Sequence, residues 1–348
     1  MLLIIAGAGA SLDSVPFTPP HTESAGYQLP LADQLFGVSQ AFLDIQTKYP
    51  ALKQISTRLH FRSNGKTVED VLAEMQEEAK HNPARHRQLV AVRYYLQELI
   101  DTCEQRWYRG HSLPTNMIAL LDQIENARLK HGGGAHPCFI TFNYDRIIEN
   151  ALSNRGHTFN NISDYTAANR PALLKLHGSV DWVRPVTGLK RPPRDNSRNE
   201  VAERMGEEFH EIVPEQVGEI KIIRSISSTT SEEGIHLPAI AIPTKGKSFE
   251  CPESHVEELR KILPEVRCIL TIGWRAQEDH FLVELRRLAT KPIVGICVGA
   301  NGHDADPVTK QMMRTMPRSE FRSFDGRGFS DFVRNHGVER LSNLEWHR

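Results

Sequence analysis

The sequence of 348 residues is poor in cysteine, nearly neutral in net charge and without long apolar runs. Its five cysteines form no CxxC pair, which favours free thiols in a reducing compartment. The formal net charge of −1 gives no indication of binding to nucleic acid or to a membrane surface. A membrane-spanning helix needs a run of about 18 or more apolar residues, and the sequence has none. We therefore expect a cytoplasmic protein.

The first eleven residues lack the basic segment of a signal peptide and instead predict a buried strand that ends in a glycine turn. Leu2 to Ile5 form a short apolar run, and Gly7 and Gly9 follow at once. Small residues let the backbone approach a bulky anion, and backbone N–H groups can then face phosphate oxygens. The third glycine of the dinucleotide fingerprint would fall at Leu12, so the fingerprint is incomplete. The segment is either a nucleotide-binding turn or an ordinary tight turn.

Three later apolar segments also end in small or polar residues, at 138–145, 173–182 and 268–274. The carboxyl ends of parallel strands line one crevice in an open α/β sheet. We therefore expect the three strand-end residues of these segments to meet the glycine turn there; they are Asn143, His177 and Gly273.

The remaining pattern predicts an α/β fold with a doubly wound parallel, Rossmann-like sheet. From Leu31 to about His131 the apolar spacing is helical, and Thr67 and Asp70 form a capping box for one of the helices. From Glu253 onward helices and strands alternate again. The predicted parts are a Rossmann-like core over 1–30, 132–183 and 251–335, a helical insertion over 31–131, and a small second module over 184–250.

Three features of the chain allow a structural or a functional interpretation. The loop after Ser11, up to Pro30, is long enough to be a mobile lid or an ordinary surface connection. The apolar stripe from Leu89 to Cys103 predicts core packing rather than a partner-binding helix. The basic cluster over 190–194 is a solvated loop or a contact for an anionic partner.

In their order and content these motifs resemble the sirtuin family. The family pattern is a Gly-Ala-Gly-x-Ser turn, a Thr-x-Asn-x-Asp strand end, a His-Gly strand end and a late strand that ends in glycine. This sequence has these motifs at 7–11, 141–145, 177–178 and 273. The strings 176–182 and 272–281 are typical of a prokaryotic, sirtuin-like branch of NAD hydrolases that is associated with anti-phage defence.

The resemblance also implies a difference in metal content. Sirtuin deacylases hold a structural zinc ion with two cysteine pairs in the region that corresponds to 184–250. This sequence has no cysteine there, and its next one is Cys251. A four-thiolate site cannot be built, so we expect a zinc-free module and no metal cofactor.

The resemblance implies catalytic roles for two residues. Asn143 corresponds to the family residue that orders the nicotinamide ribose and a water molecule, although asparagine also suits a turn after a strand. His177 corresponds to the general base, although a lone histidine at a strand end is often structural. Asp145 resembles the acid near the nicotinamide amide, and it could also place negative charge at the start of the following helix.

The NAD-binding residues that the resemblance implies lie at four strand ends. The adenosine half of NAD is expected to lie over the ends of the two late strands. Trp274 replaces a small hydroxyl residue of the deacylases, which removes a hydroxyl–phosphate contact. Together with Asp145, the expected NAD-binding residues are Gly7, Ala8, Gly9, Ser11, Gly273, Trp274 and Asn301.

The reaction implied by the resemblance is cleavage of the nicotinamide–ribose bond of NAD, which gives nicotinamide and ADP-ribose. NAD is then the substrate, and the protein is expected to deplete NAD as the effector of an anti-phage system. The helical insertion suggests a homo-oligomer. The resemblance further suggests a separately encoded regulatory partner, such as a ring-forming ATPase or helicase.

Two other functions remain open at this point. The first is an NAD-dependent protein deacylase, which needs a peptide groove beside the second module. The second is a non-catalytic subunit that senses nucleotides or serves assembly. Such a subunit needs neither Asn143 nor His177, so their presence together favours an enzyme.

Overall fold

The computed structural model of the chain describes residues 1–15, 26–62, 65–109, 115–244, 248–335 and 337–342. The strands are β1 Leu2–Ala6, β2 Cys138–Thr141, β3 Ala172–Lys175, β4 Gly178–Val186, β5 Lys221–Ile222, β6 Thr230–Ser231, β7 Gly234–Ile240, β8 Cys268–Ile272, β9 Val294–Val298 and β10 Glu320–Ser323. The α-helices are α1 Ala8–Leu12, α2 Gln40–Gln46, α3 Pro50–His60, α4 Val68–Ala79, α5 Pro83–Arg109, α6 Asn116–Lys130, α7 Ile147–Ser153, α8 Arg198–Glu208, α9 Glu253–Ile262, α10 Asp279–Leu285, α11 Gly302–Thr315, α12 Gly328–Arg334 and α13 Gly337–Ser342.

The chain divides into two compact units. The first, which we call the Rossmann unit, comprises Met1–Thr22, His111–Leu176 and Pro252–Arg348. The second, which we call the helical unit, comprises Glu23–Gly110 and His177–Cys251. Helix α6 falls in the range 31–131 that the sequence suggests as an insertion, and it packs within the Rossmann unit. The domain ranges drawn from the sequence stay a prediction.

The Rossmann unit is built on a six-stranded sheet in the order β10-β9-β8-β1-β2-β3. Every neighbouring pair in it is parallel. Strand β1 lies in the middle, and its apolar residues from Leu2 to Ile5 are fully buried because both faces of the sheet are covered. This strand order is that of a doubly wound α/β fold, so the predicted fold class is confirmed.

Three cysteines lie in the strands of this sheet. Cys138, Cys268 and Cys297 are in β2, β8 and β9, and all three are buried. Burial raises the pKa of each thiol above its ordinary value, because a thiolate loses its hydration there. These cysteines therefore act as small apolar core residues.

The helical unit combines helices with a four-stranded sheet in the order β5-β4-β7-β6. Its pairs are antiparallel. The long helix α5 packs on this sheet, where Tyr94 Oη donates to His236 O at 2.6 Å and Gln97 Nε2 donates to Val180 O at 2.7 Å. The predicted stripe from Leu89 to Cys103 is buried, so its assignment to the core is confirmed.

Two short elements flank longer ones. The glycine turn after β1 continues directly into α1. Strand β5 is only Lys221–Ile222, and β4 pairs with it at two positions. The predicted lid after Ser11 falls mainly on residues 16–25, outside the described residues. Within the described residues, no helix combines the length and apolar character required to cross a bilayer.

Candidate functional site

A network of polar side chains lies at the carboxyl ends of β1 and β2. Asn143 Nδ2 donates to Gly7 O and to Ser11 Oγ, both at 2.8 Å. Ser11 Oγ in turn donates to Asp145 Oδ2 at 2.6 Å. The Rossmann unit thus brings together four of the predicted site residues, because β1 and β2 are adjacent parallel strands.

The orientation of the Asn143 amide follows from its partners. Gly7 O can only accept a hydrogen bond, so the amide nitrogen must face it. Both Nδ2 hydrogens are then used, and the remaining polar atom of the side chain is Oδ1. The backbone N–H of Asn143 also donates to Thr141 Oγ1 at 3.1 Å, and this bond holds the Asn143 backbone against the end of β2. Asn143 therefore presents a fixed acceptor, the group needed to orient a hydroxyl or a water.

The carboxylate of Asp145 has a structural role at the start of α7. Its Oδ1 accepts from the backbone N–H of Ile147 at 3.2 Å, while its Oδ2 accepts from Ser11. The side chain is buried. Negative charge at the helix start is one of the two roles that the sequence allowed, and the geometry fits it. The other role, beside a nicotinamide amide, stays a prediction.

A buried ion pair between Lys175 and Glu149 contacts the Asp145 backbone and so supports this network. The sequence did not predict it. Lys175 is fully buried on β3, and its Nζ lies 2.9 Å from Glu149 Oε1 on α7. The same Nζ donates to the backbone carbonyl of Asp145, and Tyr165 Oη donates to Glu149 Oε1 at 3.1 Å. The available signal was a lone lysine inside the apolar run 173–176, since an unpaired charge is too costly to bury there.

The pKa of His255 is lowered by burial beside this ion pair. His255 on α9 is fully buried, and its ring centroid lies 5.5 Å from that of Tyr165. Burial lowers the pKa of His255 from 6.5 to about 4, against a hydrogen bond with the Lys175 backbone and with help from the Lys175 charge. The imidazole is therefore neutral near neutral pH.

The glycines of the turn serve close backbone packing. A Cβ on Gly9 would lie 2.7 Å from Gly273 Cα, and one on Gly7 would lie 2.5 Å from Gly273 O. Gly273 itself has a φ of 56°, and its Cβ would lie 2.4 Å from Ala10 N. Gly9 N donates to Gly273 O at 3.0 Å. The backbone at the end of β8 therefore occupies the space beside the Gly9 Cα. Binding of NAD over the glycine turn stays a prediction.

Trp274 lies in an aromatic cluster. Its ring is buried and stacks on Phe142 with a centroid distance of 5.8 Å and an angle of 13°, and Phe281 packs against it edge-on. Its Nε1 donates to Glu278 Oε2 at 2.6 Å. The indole therefore fixes the β8 end in place.

Asn301 and Ala8 both mark the start of a helix. The Oδ1 of Asn301 accepts from Asp304 N at 3.0 Å, which caps α11 after β9. Ala8 is the first residue of α1. Binding of NAD by any of these strand-end residues stays a prediction.

His177 belongs to the helical unit, where it directly precedes β4. It is fully buried, and its carbonyl accepts from Ala241 N at 2.9 Å. Gly178 has a φ of 88°, and a Cβ there would lie 1.9 Å from Ala239 O. The Ala239 carbonyl therefore occupies the space that a side chain at position 178 would need.

Residues 137–198, which contain Asn143 and His177, match the family model described as a SIR2-like domain. This segment is therefore similar to SIR2-like domains. No curated protein matches the chain.

Solved structures give remote likenesses over nearly the whole chain. A complex of a Sir2 homologue with NAD is 12% identical, with 98% of this chain and 90% of that chain covered and a TM-score of 0.40. A mutant Sir2 homologue in complex with ADP ribose is 14% identical, with coverages of 98% and 93% and a TM-score of 0.42. Sir2Tm bound to a propionylated peptide is 11% identical, with coverages of 98% and 93% and a TM-score of 0.39.

Proposed function

We propose that the protein is an NAD-dependent enzyme that hydrolyses the nicotinamide–ribose bond of NAD. The observation that carries this proposal is the network of Asn143, Ser11 and Asp145 at the carboxyl end of the central strands. In doubly wound sheets, ligands bind outside the carboxyl ends where the strand order reverses, which here is between β1 and β8. The match of 137–198 to a SIR2-like domain supports the same substrate.

The proposed reaction assigns separate roles to two residues. The bond between nicotinamide nitrogen and ribose C1′ breaks, and nicotinamide leaves with the bonding electron pair as a neutral base. Water then attacks C1′ and loses a proton, which gives ADP-ribose. Asn143 Oδ1 orients the ribose or the water, and His177 accepts the proton.

The expected NAD contacts follow the same proposal. Gly7, Ala8, Gly9 and Gly273 provide a small-residue surface, with Ser11 and Asp145 holding Asn143 in place. Asn301 and the β8 end that Trp274 fixes lie on the adenosine side. We expect NAD to bind on the face of the turn that points away from Gly273, because the Gly273 backbone fills the space on the other face of Gly9.

The decisive experiment is incubation of the purified protein with NAD, with and without an acetylated peptide. We expect release of nicotinamide and ADP-ribose without the peptide. Asn143→Ala and His177→Ala should each lower the release about 10²–10⁴-fold. Matched controls are Asn154→Ala, at the exposed end of α7, and His81→Ala, an exposed histidine; both should retain the activity of the wild type.

The result can also reject the proposal. Release that requires the acetylated peptide would identify a protein deacylase. Binding of NAD without any product, under conditions that activate related enzymes, would favour a nucleotide-sensing subunit. Near-normal release by His177→Ala would remove it as the general base.

The biological setting is part of the proposal as well. We infer an NAD-depleting effector of anti-phage defence that works as a homo-oligomer, controlled by a partner such as a ring-forming ATPase or helicase. Support for this comes from the resemblance of the motifs. Light scattering at micromolar concentration tests the oligomer, and a monomer would contradict it.

A further inference from the structure

A cleft with basic walls lies in the Rossmann unit, beside the carboxyl ends of β8 and β9. Its volume is about 430 Å³, within the range of about 300–1,000 Å³ that is usual for small-ligand sites. One wall is the face of α11, and the other is the segment between β8 and α10. The polar lining residues are Arg275, Gln277, His303, Asp306, Lys310 and Arg314.

The α11 wall presents its side chains in one row. His303, Asp306, Lys310 and Arg314 are three or four residues apart, so they lie on one face of the helix. Over the described part of the chain, no side-chain hydrogen bond or ion pair engages His303, Lys310 or Arg314. The charged side chains of Lys310 and Arg314 thus line the cavity, and neither forms an ion pair with a described residue of the chain.

The acidic residue in this row is directed to another partner. Asp306 Oδ1 accepts from Ser323 Oγ on β10 at 2.6 Å. The lining therefore has three cations, Arg275, Lys310 and Arg314, against one carboxylate that is already hydrogen-bonded. An excess of positive charge in a concave surface attracts anions.

The opposite wall has an unusual backbone. Ala276 has a φ of 55°, in the left-handed region that residues with a side chain rarely adopt. Its methyl group is buried, while Arg275 and Gln277 on either side are exposed. This conformation places both of the longer side chains at the cleft. Strained residues of this kind are frequent at ligand sites.

We propose that this cleft binds the phosphate groups of a nucleotide. The guanidinium of Arg314 and the ammonium of Lys310 would donate charge-assisted hydrogen bonds to the phosphate oxygens. The phosphate could belong to the dinucleotide substrate, as a 2′-phosphate of its adenosine half, or to a separate nucleotide. The proposal stands on the cleft alone and does not depend on NAD hydrolysis.

The test is isothermal titration calorimetry with inorganic pyrophosphate and with ADP. The variant K310E/R314E reverses two exposed charges, and K53E/K130E makes the same change of net charge at exposed lysines outside the cleft. We expect both ligands to bind the wild type and the control equally, and to bind K310E/R314E at least about tenfold more weakly. Circular dichroism checks that the variants are folded.

Two further arms identify the source of the phosphate. If the cleft holds a 2′-phosphate, NADP binds the wild type more tightly than NAD, and K310E/R314E loses this preference. If the ligand is a separate nucleotide, ADP still binds when NAD is saturating.

The proposal is overturned if K310E/R314E binds pyrophosphate and ADP as tightly as the control does. It is also overturned if the wild type binds neither pyrophosphate nor ADP when each is present at about 1 mM. Only ligands with a Kd well above about 1 mM would go undetected at that concentration. Nicotinamide release is measured separately, so loss of that activity by His177→Ala leaves this proposal untouched.

Discussion

Replacement of Lys175 by methionine tests whether the buried ion pair supports the fold of the Rossmann unit. Methionine has a similar length, so little volume is lost, but the charge that pairs with Glu149 is removed. The Glu149 carboxylate then stays buried without its cation, and Asp145 O loses its donor. Breaking a buried pair from one side costs about 3–5 kcal/mol of unfolding free energy. The total free energy of unfolding of a domain is only about 5–15 kcal/mol, so this loss is a large part of it.

The assay is urea unfolding followed by tryptophan fluorescence, for wild type, Lys175→Met, Glu149→Gln and the double variant. Glutamine at 149 keeps an acceptor for Tyr165 and carries no charge. The double variant should therefore be more stable than Lys175→Met alone, because no unpaired carboxylate remains. Nicotinamide release should fall in Lys175→Met, since the network of Asp145, Ser11 and Asn143 loses its support.

Two outcomes would contradict this interpretation. One is a Lys175→Met variant whose free energy of unfolding lies within about 1 kcal/mol of the wild-type value, because an ordinary point mutation can cause a loss of that size. The other is strict additivity of the two single changes in the double variant, because groups in one network are expected to couple.

Three further predictions follow from the described residues. His255 has an ordinary pKa of 6.5 and a folded pKa of about 4; the unfolded chain alone is protonated between these values, so stability falls as pH drops from 6.5 to 4. The loss is about 3 kcal/mol, and His255→Gln should remove that part of the pH dependence in urea unfolding; an unchanged profile would refute the assignment. Gly9→Ala should lower the melting temperature, because its Cβ meets the Gly273 backbone, whereas Gly26→Ala in open space should not; equal melting temperatures would contradict the packing. The double variant Asn143→Ala/His177→Ala should release nicotinamide little more slowly than either single variant, and multiplied losses in the kinetic assay would show that they serve separate steps.

The sequence alone predicted the fold class and the approach of Asn143 and Gly273 to the glycine turn. Short apolar strands that end in small or polar residues are a local pattern, and parallel strands bring their carboxyl ends to one edge whatever the details. That geometry brings Asn143 and Gly273 to the glycine turn, as predicted. The hydrogen bonds of Ser11 with Asn143 and Asp145 emerged only from the structure. The motif resemblance added the proposed chemistry, which the residues alone leave open.

Only the tertiary structure decided which backbone atoms fill the spaces beside the glycines. A sequence shows that Gly9 and Gly178 lack side chains, but it does not show whether a ligand or another strand end lies against them. The backbone at Gly273 fills the first space and the Ala239 carbonyl fills the second. The pairing of Lys175 with Glu149 and the basic face of α11 beside Ala276 have the same origin. They join residues far apart in the chain, and packing in three dimensions, not local sequence preference, determines which of them meet.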